Sequence, residues 1–156
     1  MSMKKRTLRP FRGERALMSA FKGLAYEWDI ARKAAVLLAR EHAAGNQDLV
    51  NLLLEAFLLH ARNIRDFLTW SNNPNDVVAS DFVRRPVRVR MPLLRSRKVR
   101  ERLNRMVAHL SYSRSRLGRE WDVPVLIAEI DSGMAAFLRR LEQIQPALVK
   151  RLRGAA

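Results

Sequence analysis

The stretch DVPVLIAEIDSGMAAFLRRLEQIQPAL, residues 122–148, decides the fold. Its Ile127, Ile130, Met134, Phe137, Leu141, Ile144 and Leu148 keep alternating three- and four-residue steps, which gathers them on one side of an α-helix and matches the seam of a bundle or coiled coil. Asp122, two residues before Pro124, is an N-cap candidate: its carboxylate can accept a first-turn N–H, and proline there has no N–H to lose. Pro146 is expected to kink or end this helix. Lys150, Arg151 and Arg153 then lie near its C-terminal negative dipole.

Working back along the chain, Val99, Leu103, Met106, Val107 and Leu110 mark one side of another helix, over 96–117. Residues 47–70 are apolar over most of a helical circumference, with Leu49, Leu52, Leu53, Ala56, Phe57, Leu59, Ile64, Phe67 and Leu68; such a helix belongs at the centre of a bundle. Leu17, Phe21, Leu24, Trp28, Ala31, Ala35 and Leu38 trace a stripe over 14–42, closed by Gly45. Between the second and third long helices, the turn formers of 71–76 with Pro86 and Pro92 leave a connection over 71–95. Within it 77–82 can form a short helical turn, and Val87, Val89 and Met91 alternate with Arg88 and Arg90, an extended segment with an arginine face. Residues 1–13, with Lys4, Lys5, Arg6, Arg9 and Arg12, read as a mobile basic arm. The expectation is an all-α, single-domain chain over 1–156: a four-helix bundle, up-down in topology, with a long basic loop between its second and third main helices.

At 156 residues and 48% hydrophobic the chain can bury a real core. It has no cysteine, which removes disulfides, thiolate metal sites and a cysteine nucleophile and suits a cytoplasmic location. No run of eighteen apolar residues occurs, so no transmembrane segment is expected. Zinc-protease, phosphate-loop, nucleophile-elbow and EF-hand spacings are missing, and neither a metal nor a cofactor is expected. Asp76 and Asp81 could hold a hard cation, but read better as loop carboxylates.

The charge is concentrated. Residues 84–119 hold thirteen Lys or Arg and one carboxylate, supplying about +12 of a net +15. A basic segment this dense points to a polyanion, because neutralising phosphates releases counterions. Arg84, Arg85, Arg88 and Arg90 belong to the loop; at 100° per residue Lys98, Arg102, Arg105, His109, Tyr112 and Arg116 share one line of the third helix. Phosphates could lie along that line, with Tyr112 able to stack and His109 able to move a proton near neutral pH; a solvated helix face has the same pattern. His60, with Asn63 beside it, falls on the apolar face of the second helix. Buried polar groups need partners, so the pair either joins a core network or lines a cleft toward Arg102 and His109. Trp28, Trp70 and Trp121 read as packing residues.

Arg102 and His109, six residues between them, fit an Arg, four-to-six residues, His pattern, and here the chain resembles the HEPN group of small helical bundles. Many of these are metal-independent ribonucleases or RNA-binding partners in toxin–antitoxin systems. The resemblance implies catalytic roles for Arg102 and His109 on an RNA phosphodiester with the ribose 2′-hydroxyl as nucleophile, in a cleft commonly formed at the interface of a homodimer. Leu103 follows Arg102 where that group tends to place a polar residue, with Asn104 one later. Residues 55–67, 75–81 and 104–112 also look like segments of uncharacterised bacterial helical proteins. RNA is thus the expected partner ahead of DNA; the alternative is a non-enzymatic adaptor whose basic face docks on an acidic protein, as in toxin–antitoxin pairs. An anionic membrane surface is a third possibility.

Overall fold

The computed structural model describes residues 12–69, 73–83, 87–107 and 121–154. The described residues are all-α, with no strand among them: α1 is Glu14–Ala43, α2 Gln47–Leu68, α3 Ala79–Val83, α4 Arg97–Val107, α5 Val123–Ile144 and α6 Pro146–Gly154. None of these helices is long and apolar enough to cross a membrane. The basic arm up to residue 11, Arg84 and Arg85 in the connection, and the far part of the expected third helix, 108–117, lie outside the described residues.

The turn between α1 and α2 follows from two residues. Gly45 adopts φ +73°, a left-handed conformation that costs glycine nothing. It lets the Gly45 N–H reach the His42 carbonyl at 3.1 Å and the Asn46 N–H reach that of Glu41 at 3.0 Å, the paired bonds of a Schellman cap. Asn46 then caps α2 by accepting the Leu49 N–H at 3.4 Å. With so short a turn, α1 and α2 pack antiparallel along their lengths.

α2 also packs against α4 and α5, the central position that its apolar composition predicts. The Asp122 cap holds, accepting the Val125 N–H at 3.2 Å. Pro146 ends α5 rather than kinking it and starts α6. The buried side of α5 is centred on Leu126, Ile130, Met134, Phe137 and Leu141, while Ile127 is only half-buried and Ile144 is 37% exposed. The expected seam is therefore displaced at both ends, because α5 is covered by several elements, α1, α2 and α3, and adjoins α6.

Phe82 of α3 is the hub of an aromatic cluster. Its ring meets Phe21 of α1, Phe67 of α2 and Phe137 of α5 edge to face, with centroids 6.4, 5.9 and 5.6 Å away. Gly133 is a close approach of α5 to its neighbours, since a Cβ there would stand 2.7 Å from Leu68 Cδ1 and 3.3 Å from Met91 Sδ. Both neighbours are buried and have little room to yield. Gly133→Val is expected to lower stability by about 1–3 kcal/mol through overpacking; a urea midpoint unchanged from wild type would show that the helices separate freely.

Candidate nucleic-acid interface

The alternation read between 87 and 91 is present as side-chain orientation without strand pairing. Val87 and Val89 are half-buried, Met91 is buried, and Arg88 and Arg90 are exposed. The apolar side chains hold the segment on the core, which fixes the arginines outward. A helical turn follows, with the Arg95 N–H on the Met91 carbonyl at 3.0 Å. Ser96 then starts α4, its Oγ accepting the Val99 N–H at 3.2 Å.

One carboxylate anchors this junction. Glu129 of α5, 9% exposed, accepts the Leu93 N–H at 2.8 Å and the Leu94 N–H at 2.9 Å. It satisfies two donors that the turn would otherwise bury. The same geometry spends its charge on backbone, inside the fold, away from the arginines. Glu129 is a residue the sequence reading passed over. Its signal was there: a carboxylate three residues from Leu126 and one from Ile130 lies on the buried stripe, where it needs donors.

The cations around it are displayed. Arg88, Arg90, Arg95, Lys98 and Arg100 are exposed, and none of the five forms an ion pair among the described residues. Arg97 differs: its Nε donates to Glu101 Oε1 at 2.7 Å, and that hydrogen bond, with the carboxylate's charge, raises its pKa above the ordinary arginine value. Arg102 is half-buried, its guanidinium carbon 3.9 Å from the centroid of the Trp121 ring. This cation–π contact restrains the guanidinium over the indole ring. Trp121 thus packs, as expected of it, and also restrains Arg102.

His60 and Asn63 find their partner on α1. Glu27 Oε2 lies 2.7 Å from His60 Nδ1 and accepts from Asn63 Nδ2 at 2.9 Å, and the Tyr26 ring meets His60 edge to face at 6.0 Å. Of the two readings of this pair, these contacts belong to the inter-helix network. The structure thus brings His60 and Asn63 together through Glu27, and Arg102 to Trp121. His109, Tyr112 and Arg116, like Arg84 and Arg85, lie outside the described residues, as does the side chain of Arg105 on α4.

Asp76 and Asp81 serve their own turns: Asp76 Oδ1 accepts from Asn73 Nδ2 at 2.9 Å and Asp81 Oδ2 from the Val78 N–H at 3.1 Å. A cavity of about 360 Å³ where α5 meets α6 is lined by Arg12, Glu14, Asp81, Gln145 and Arg151 among others. None of Arg88, Arg90, Arg95, Lys98, Arg100 and Arg102 lines it. Comparison with protein-family models, with curated proteins and with solved structures finds no match to this chain.

Proposed function

We propose that the protein binds nucleic acid, RNA in preference to DNA, through the connection ahead of α4 and the cationic side of α4, on an up-down four-helix bundle that carries this long basic loop. The supporting observation is the row of exposed cations along the chain, Arg88, Arg90, Arg95 and Lys98, none of them in an ion pair among the described residues, beside a carboxylate, Glu129, committed to backbone. A row of this kind tracks a phosphate backbone without reading bases, so affinity is sequence-tolerant and steeply dependent on salt. Arg84, Arg85, Arg105, Tyr112 and Arg116 extend the same surface in this reading.

A HEPN-like ribonuclease activity adds chemistry to that surface. His109 transfers the proton and Arg102 stabilises the charge that builds on the phosphate. The contact with Trp121 favours such a role, because a guanidinium that is already restrained loses little freedom on meeting a phosphate.

Fluorescence anisotropy with a labelled single-stranded RNA, titrated with salt, tests the binding. Four phosphate contacts predict that affinity falls about 50-fold between 50 and 200 mM salt, and each cation replaced in Arg88→Ala, Arg90→Ala or Lys98→Ala lowers the slope by about 0.7. Cleavage is lost in His109→Ala and Arg102→Ala while binding persists; equal cleavage by wild type and both variants sinks the ribonuclease part. Salt-insensitive or absent RNA binding, with a stoichiometric complex formed instead with an acidic protein, transfers the surface to the adaptor reading.

A further inference from the structure

The outer face of the α1–α2 hairpin carries a second feature, independent of the basic segment. Tyr26 and Leu37 of α1 and Leu49, Leu52 and Leu59 of α2 are between 39% and 63% exposed. At 100° per residue the two from α1 fall within about 20° of each other, and the three from α2 within about 80°. The Tyr26–His60 ring contact places the two sets side by side along the helix contact. The result is an apolar strip over the middle and turn-side part of the hairpin.

Its two borders carry opposite charge. Along α1 stand Lys22, Lys33 and Arg40; along α2 stand Asp66, Glu55 and Asp48. Asp29 on the first border and Arg62 on the second reduce this contrast without reversing it. The spacing is the same on both, eleven residues and then seven, intervals that return a side chain to nearly the same side of a helix. The heights match as well. Glu27 is level with His60 and Asn63, and Glu41 with Asn46, whose Nδ2 it accepts at 3.4 Å. Counting from these contacts along antiparallel helices, Lys22 is level with Asp66, Lys33 with Glu55 and Arg40 with Asp48.

We infer that this face is a homodimer interface, occupied by a second copy of the chain about a two-fold axis parallel to the helices. That operation keeps heights and exchanges sides, so α1 of one copy lies over α2 of the other. The apolar strips then close on each other, and Lys22, Lys33 and Arg40 meet the partner's Asp66, the partner's Glu55 and the partner's Asp48, twice over. Of the local pairs within one copy, Lys33 with Asp29 at 2.6 Å is exposed on both sides and Arg40 with Glu41 at 3.1 Å is exposed at the guanidinium, so exchanging them costs little. Asp66 keeps Arg65 on its Oδ1 at 2.7 Å and meets the partner's Lys22 with Oδ2, which is only 3.8 Å from Arg62 Nε. Net charge selects the same face. A chain of +15 repels its copy, but residues 14–69 hold seven basic and seven acidic side chains and are neutral, so here two copies approach without like-charge opposition. The cationic connection and α4 lie outside this hairpin, and the inference does not depend on what they bind.

Sedimentation equilibrium of the full chain tests it. The expected mass is twice 18.0 kDa. Leu52→Glu, at a position 63% exposed, yields a monomer with an unchanged helical circular dichroism spectrum. Lys33→Glu raises the dimer dissociation constant at least tenfold, and adding Glu55→Lys restores it. A monomer from micromolar to millimolar wild-type protein overturns the inference, as does a dimer indifferent to Leu52→Glu. Failure of the double reversal to recover the dimer overturns the arrangement of α1 over α2.

Discussion

Glu129→Ala is expected to lower folding stability by about 3–5 kcal/mol, because it removes the acceptor of two charge-assisted hydrogen bonds and leaves their donors under protein. Leu94 is fully buried at the turn and Glu129 itself is 9% exposed, so water cannot replace the carboxylate without opening the junction between α5 and α4. Glu129→Gln keeps one acceptor oxygen but turns an NH₂ toward a second donor, and about half of that loss is expected. Urea denaturation followed by circular dichroism measures both. A Glu129→Ala midpoint within error of wild type would show that the turn at 92–95 stands without α5. The effect also reaches function: the turn fixes where the Arg88–Arg90 segment ends and α4 begins, so in Glu129→Gln, which remains folded, RNA affinity should fall although no cation has been removed.

Glu129 also marks where the sequence ceased to be legible. Elements specified by local rules read correctly: Gly45 closes the first helix, Asp122 caps α5, and Pro146 ends α5. Each depends on contacts within a few residues. The partners of polar side chains depend on which helix lies opposite, which periodicity does not encode. His60 on an apolar face announced that it needed a partner, but that the partner is Glu27, thirty-three residues earlier, required the antiparallel register of α1 and α2. Trp121 gave no sign of Arg102, nineteen positions earlier in the chain, because periodicity does not relate residues that far apart.

Exposure was the other limit. Leu49, Leu52 and Leu59 contribute to the apolar circumference of α2 that argues for a central helix, yet they remain 40–63% exposed. A stripe wider than one neighbouring helix needs is the mark of a second partner. For the cations the physics ran the other way: a dense basic run predicts exposure by itself, since no fold of this size buries so many unpaired charges. The bias was therefore legible from composition, whereas its division into an anchored extended segment and a helix face was not.

Phe82→Ala is expected to lower stability by about 3–5 kcal/mol, the cost of deleting a buried aromatic ring. The ring is fully buried, and every neighbour in its cluster belongs to a different long helix: Phe21 to α1, Phe67 to α2 and Phe137 to α5. Removing it opens a cavity that no single side chain can collapse into. α3 adds a second consequence. Five residues cannot sustain a helix alone, so α3 exists because Phe82 is seated in the cluster and because the Phe82 carbonyl accepts a hydrogen bond from the Gln145 side chain at the α5–α6 joint. Without the ring the connection loses its anchor ahead of the arginines, while Glu129 still holds it behind them. Limited proteolysis should therefore find new cleavage in 73–90 of Phe82→Ala before the rest of the chain yields, and a lower urea midpoint should accompany it. Val77→Ala, a truncation at a 44% exposed position in the same connection, should leave both readouts near wild type. Equal resistance of wild type and Phe82→Ala to the protease would mean that the connection is held without Phe82, by Glu129 and the buried Met91 and Leu94.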